Sequence, residues 1–246
     1  MKERPILFSA QMVRGLVACT KTQTRRIVKP QPVKTSGTHR GYPLPLMDND
    51  WAWPHPRTSS ATTISNRPNG PLGWEIHCPY GQPGDRLWVK ESWRTGARLD
   101  AKSPKAIERA CHDAGYTHGA CCPVRYEADG SHTTRGDRDA ADFGMWGKHR
   151  VSIHMPRWAS RLTLEITGVR VERLQGISEA DVIAEGVTAV SSGGVTLFTT
   201  TGVNCFQTAK DAYAALWESI NGPGSWAANP WVWVVEFKLV GNGGVA

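Results

Sequence analysis

The sequence predicts an α+β domain, built on a mostly antiparallel sheet or small barrel with three helices and two long irregular insertions. Three observations point that way. Apolar residues alternate over 162–171 and run almost unbroken over 231–240, the patterns of a half-buried strand and of one covered on both faces. Three other stretches carry helix signals, either apolar residues three and four apart or paired start and stop residues. Residues 33–76 and 95–149 show neither pattern. At 246 residues the chain can bury a real core, and it reads as a single domain, 1–246, interrupted by those two insertions.

Taken in order, Ser9 caps a helix over 10–19 whose inner face holds Met12, Val13, Leu16 and Val17. "ACTKTQTRR", Ala18 to Arg26, then falls at the helix's C-terminal end, where cations complement the dipole. Pro30 and Pro32 prevent the helix from resuming. The first insertion, with Pro43, Pro45, Pro54, Pro56, Pro68 and Pro71, reads as a flap without its own core. Gln82-Pro83-Gly84-Asp85 is a turn, and Leu87 to Trp93 a strand.

The second insertion is rich in Gly, Asp, Arg and Ala. Regularity returns at "VSIHMP", where His154 is expected between a strand and a proline turn. Leu162, Leu164 and Ile166, then Val169 and Val171, alternate around Gly168, which calls for one long or bulged strand. Ser178, Asp181 and Gly186 start and stop a short helix. A stronger helix follows, with Ala209, Tyr213, Leu216, Trp217 and Ile220 on one face, before the final strand "PWVWVVEFKLV".

Charge is concentrated at one end. Residues 1–40 hold nine cations against Glu3 alone, so the rest of the chain is nearly neutral within a formal total of +7. Such an excess is the footprint of a phosphate or polyanion partner, or else of a solvated basic face. No stretch approaches the roughly 18 apolar residues of a membrane span. "MKERPILFSAQ" lacks the apolar core of a signal peptide, so the expected compartment is the cytoplasm, with no membrane partner. In that setting the six cysteines are read as free thiols.

The ordered pieces resemble a known family. A helix leading into K-T-x-T-x-R, then G-D-x-L-x-V, a long central strand, an S-E…E-G helix and a final strand are similar to the ASCH family, whose fold is PUA-like. "KTQTRR", "SIHMPRWASR" and "WESINGPGSWAANPWVWV" resemble its phage and prophage members in particular. A phage-encoded chain would act in the cytoplasm of its bacterial host. Bacterial ASCH proteins similar to this one are N4-acetylcytidine amidohydrolases that use a lysine, a threonine and a glutamate. The resemblance places those roles on Lys21, Thr24 and Glu185, with Arg26 also matched. Gln23 departs from the usual apolar residue, and the insertions can reshape the pocket.

The chemistry asked of these residues is concrete. Amide hydrolysis needs a nucleophile, a base and a proton source for the leaving nitrogen. Thr24 would attack or position a water. Lys21 would accept the proton once burial beside Arg25 or Arg26 lowers its pKa, and Glu185 would protonate or hold the cytidine amine. Thr22, Arg25, Arg26, Glu91, Trp93 and His154 are the candidate substrate or nucleic-acid contacts. Residues three apart point to opposite faces of a flat strand, so Lys21 and Thr24 need a bend between them.

The resemblance also allows a non-catalytic reader of RNA or modified nucleic acid, and a ribonuclease. The expected partner is a nucleoside or nucleic acid, RNA before DNA; the oligomeric state is left open. Of the 11 tryptophans, Trp88, Trp217, Trp231 and Trp233 read as core, whereas Trp51 and Trp53, near His55 and Arg57, could stack a base. Cys111, His112, His118, Cys121 and Cys122 are zinc-ligand types, but their spacing fits no standard finger, so no metal or other cofactor is assigned.

Overall fold

In the computed structural model the described residues are 1–31, 77–113, 122–133, 145–192, 194–200 and 204–242, with short strand pieces between 33 and 62. The fold is α+β. Its principal sheet has five strands: β1 (Glu3–Leu7), β2 (Gln23–Ile27), β3 (Arg86–Lys90), and two 12-residue strands, Leu162–Arg173 and Trp231–Asn242. Their spatial order is β1, β3, Leu162–Arg173, Trp231–Asn242, β2, with only β1 and β3 parallel. Among the described residues no barrel closes, and β2 forms one end of the sheet.

The remaining elements, labelled in chain order with these, are helices α1 (Ala10–Val17), α2 (Pro104–Asp113), α3 (Glu179–Ala184) and α4 (Ala209–Asn221). The remaining strands are β4 (Trp93–Arg94), β5 (Val124–Tyr126) and β6 (His132–Thr133), then β8 (Thr188–Ser192), β9 (Val195–Thr199) and β10 (Cys205–Phe206). The long strands are thus β7 (Leu162–Arg173) and β11 (Trp231–Asn242).

β11 is buried on both faces, as its apolar run requires. Trp233, Val235 and Phe237 join Phe8, Val13 and Leu16 on the α1 side, while Val232 and Val234 join Val182, Tyr213 and Trp217 on the α3–α4 side. Each such aliphatic side chain withdrawn from water contributes about 1.5–3 kcal/mol. In β7 the apolar positions change from even to odd numbers after Ile166. A register irregularity between Ile166 and Gly168 absorbs the extra residue, so Val169 and Val171 stay with the same core.

Several expectations need correction. Residues after the turn at Cys19 (φ 55°) do not extend a helix end; Gln23–Ile27 is a strand paired to β11. The expected strand Leu87–Trp93 is broken after Lys90, and Trp93 starts a second sheet. "VSIHMP" forms a 3-10 turn at Ser152–His154 rather than a strand. The second insertion is not irregular throughout. It contains α2, β5 and β6, which join β4 in a second sheet around a small core of Trp93, Ile107, Val124, Tyr126 and Met155. Short, separated strands and a helix of low apolar content left no periodic signal there. Residues 188–206, to which no element was assigned, carry the sheet β8-β9-β10. No helix among the described residues is long and apolar enough to cross a membrane.

Candidate functional site

The "KTQT" segment is explained first by what it does to α3. That helix ends at Glu185, and Gly186 (φ +98°) turns the chain so that the Gly186 and Val187 N–H groups return to the Ile183 and Val182 carbonyls. Three other carbonyls near this end are met from outside. Lys21 Nζ donates to Glu185 O at 2.8 Å, the Thr22 N–H to Ala184 O at 2.8 Å, and Gln23 Nε2 to Asp181 O at 2.8 Å. Gln23 therefore has an assignment that an apolar residue could not fulfil. The Lys21 stem runs beside Gly186, its Cβ 3.4 Å from where a side chain there would begin.

This capping puts two cations against one carboxylate. Lys21 Nζ lies 2.7 Å from Glu185 Oε2, and Arg25 Nη1 lies 3.4 Å from Oε1; the Lys21 and Glu185 side chains are 1% and 3% exposed. Arg25 Nη2 continues outward to Glu172 Oε2 at 3.1 Å and Asp181 Oδ2 at 3.2 Å. Arg170 joins the same two acids and Glu236. Tyr213, buried on α4, lies near enough for the Glu185 charge to act on its phenol.

Burial pushes the Lys21 pKa below that of an ordinary lysine. Glu185 opposes the shift, and Arg26 and Arg25 add to it. Burial likewise raises Tyr213 well above the usual phenol range, with the Glu185 charge acting in the same sense.

Beside this cluster opens a cleft of about 370 Å³. Thr24, Arg25, Arg26 and Ile27 of β2 border it, with Lys29 just beyond, and Glu185 faces it from α3. Tyr213, Leu216, Trp217 and Ile220 of α4 form an apolar and aromatic wall, with Tyr80 and Met12 completing the lining. The cleft thus wraps the end strand of the sheet. Thr24 and Glu185 both reach it, while Lys21 sits behind Glu185. Lys21 precedes the strand, and its own N–H donates to the Gly15 carbonyl, so Lys21 and Thr24 do not both belong to one flat strand.

The other candidates do not gather here. Thr22 is exposed, its backbone engaged by Ala184 and Phe237. Glu91 is buried in a separate cluster, gripped through both oxygens by Arg161 at 2.9 Å. Trp93 is fully buried, edge-on to Trp158 with centroids 5.8 Å apart, so its ring is core. His154 is exposed on its 3-10 turn. Lys21 and Arg25 are enclosed and ion-paired, so they do not form the open phosphate-gripping surface that the charge excess suggested.

Trp217 and Trp233 are core, as expected, while Trp88 and Trp231 are half-buried. The side chains of Trp51, Trp53, His55, Arg57, Cys111, His112, His118 and Cys121 lie outside the described residues. Among the described residues no group of three or more His, Cys, Asp or Glu could hold a metal ion.

Tyr213, Arg170, Glu172 and Asp181 were missed as site residues. Tyr213 was read only as apolar packing, although a buried phenol hydroxyl needs a partner and that need was a usable signal. A second hollow of about 770 Å³ lies elsewhere, lined by Val169, Val171 and Trp233, and its Arg4 and Asp85 pair with each other at 2.8 Å. Comparison of the chain with family models, curated proteins and solved structures finds no match.

Proposed function

We propose that the protein is a PUA-like, ASCH-type amidohydrolase that cleaves the acyl amide on the exocyclic nitrogen of a cytosine-type base. The observation that carries this reading is the Lys21–Glu185 pair, 2.7 Å apart, set against a cleft that Thr24 and Glu185 both line. The resemblance of "KTQTRR" and the S-E…E-G helix supplies the reaction class.

An ion pair and its neutral tautomer contain the same protons. Transfer across the pair turns ammonium and carboxylate into an amine and a carboxylic acid, which are a base and an acid side by side. Burial, by lowering the Lys21 pKa, favours that transfer. A water held by Thr24, or the Thr24 hydroxyl itself, attacks the acyl carbon and gives its proton to Lys21. Glu185 delivers its proton to the departing nitrogen as the C–N bond breaks, and the resting ion pair is restored. If Thr24 is the nucleophile, water hydrolyses the acyl-threonine in a second step. Arg26 orients the substrate from the same cleft, and Tyr213 stands beside Glu185. The aromatic wall suits a flat heterocycle.

The test is release of acetate from N4-acetylcytidine by wild type, Lys21→Ala, Thr24→Ala and Glu185→Gln. Each substitution is expected to lower kcat by at least about 10²-fold, with double variants adding little because the three act as one unit. A folded wild-type protein inactive on every acylated cytidine would end the proposal.

A further inference from the structure

The cleft's charges do not balance, and the imbalance is localised. Glu185 is matched by Lys21 and Arg25, and Arg25 is shared with Glu172 and Asp181. Among the described residues Arg26 forms no ion pair. One of its nitrogens, Nη2, donates to the Leu7 carbonyl at 2.6 Å, its guanidinium lies over the Phe8 ring at 5.3 Å, and its Nε is buried without a hydrogen-bond partner. Among the described residues no carboxylate lies within ion-pairing distance of Arg26 or of exposed Lys29, and both side chains line the cleft. A guanidinium largely withdrawn from water, whose nearby acid Glu185 is already engaged by Lys21 and Arg25, gains from a ligand that brings its own negative charge.

We infer that the cleft takes a nucleoside monophosphate rather than a free nucleoside, its phosphate held by Arg26 and Lys29 and its base against Tyr80, Tyr213 and Trp217. This rests on the nucleobase reading above and adds the charge of the substrate to it. Arg26 and Lys29 lie on the segment that borders the cleft, three residues apart. Thr24 and Glu185 supply the groups assigned to the base amide. A cavity of about 370 Å³ suits one nucleotide. Guanidinium and ammonium donors to phosphate are charge-assisted, and one such contact changes affinity by about tenfold or more.

Calorimetric titration of the full chain with CMP, with cytidine, and with a cytidine-bearing RNA tetranucleotide tests this without requiring turnover. CMP is expected to bind at least about tenfold tighter than cytidine, with the gap closing as salt rises. Lys29→Ala, at an exposed position that leaves the core intact, should narrow the gap, and Arg26→Met should narrow it further. Equal affinity for CMP and cytidine, absence of CMP binding, or a gap unmoved by both variants would overturn the inference. Tighter binding of the tetranucleotide than of CMP would overturn the mononucleotide assignment. Acetate release from N4-acetylcytidine, measured on the same preparations, separates the two readings. Hydrolysis without CMP preference sinks the phosphate site alone, and CMP preference without hydrolysis sinks the amidase alone.

Discussion

Two buried carboxylates, Glu185 and Glu91, sit in similar company and differ in what surrounds them. Each is nearly inaccessible and each meets an arginine. Around Glu91 the arrangement is closed. Arg161 spans both its oxygens, reaches Asp129 at 2.9 Å, and lies over the Tyr126 ring at 4.1 Å. None of these residues lines either described cavity. Around Glu185 the arrangement is open. A lysine takes one oxygen, Tyr213 lies nearby, and the group faces a cleft in which, among the described residues, Arg26 and Lys29 form no ion pair. A buried charge alone therefore does not mark a site. A partner that can give up its proton, beside space for a ligand, does.

The largest effect should come from breaking the closed cluster. Glu91→Ala leaves Arg161 buried with half its donors unmet, and arginine cannot shed its charge. A loss of about 3–5 kcal/mol in urea unfolding is expected, with hydrolysis per folded molecule unchanged. An effect on kcat in the folded fraction would contradict the separation of the two regions.

Glu185→Gln should destabilise less, by about 1–2 kcal/mol, because Lys21 can lose its proton and Arg25 retains Glu172 and Asp181. The pH dependence sharpens this. Without Glu185 the buried lysine's pKa falls further below its unfolded value of 10.5, so the unfolded chain binds the extra proton between the two values. The penalty is present below the folded pKa and is relieved as pH rises through it, so this variant's stability should climb with pH more than that of wild type. A variant whose stability does not climb with pH more than that of wild type below 10.5 would contradict this account.

Gly186→Ala tests the positioning of the open cluster. At φ +98° a side chain is strained, and its Cβ would meet the Lys21 stem at 3.4 Å. About 1–2 kcal/mol of stability should be lost, together with turnover, since the helix end that presents Glu185 must shift. Unaltered kcat would mean that the cap does not place the carboxylate.

The smallest effect is expected at the Arg4–Asp85 pair. Hydrogen bonds from Arg4 and the Lys2 N–H hold the Asp85 carboxyl at about 2, below its usual 3.8. A depressed pKa contributes stability above 3.8 that is lost as pH falls toward 2. Asp85→Asn should flatten the acid limb of the stability curve in that window and lower stability by a small, pH-independent amount above it. An unchanged acid limb would remove Asp85 from the account.

How much was legible depended on whether the information was local. The 3.6-residue spacing of α1 and α4, the caps Ser9 and Ser178, the even-to-odd change around Gly168 and the apolar run of β11 are all nearest-neighbour patterns, and the elements form where those patterns lie. The second insertion was missed because Trp93, Ile107, Val124 and Met155, too far apart to show a period, make a core only once the chain has folded back. Glu91 and Trp93 looked like site residues because sequence shows residue type and not what a side chain faces.

By itself, then, the sequence determined the α+β class and the order of the long elements, and its resemblance singled out "KTQTRR" and Glu185 as candidates. Only tertiary structure decided which charges meet. Lys21 and Glu185 are 164 residues apart and touch because the end of α3 needs donors that the chain before β2 supplies. Tyr213 comes near them from α4, where the Glu185 charge acts on its phenol. Burial of a charge, and hence its pKa and its partner, is a property of the packed interior that no local pattern encodes.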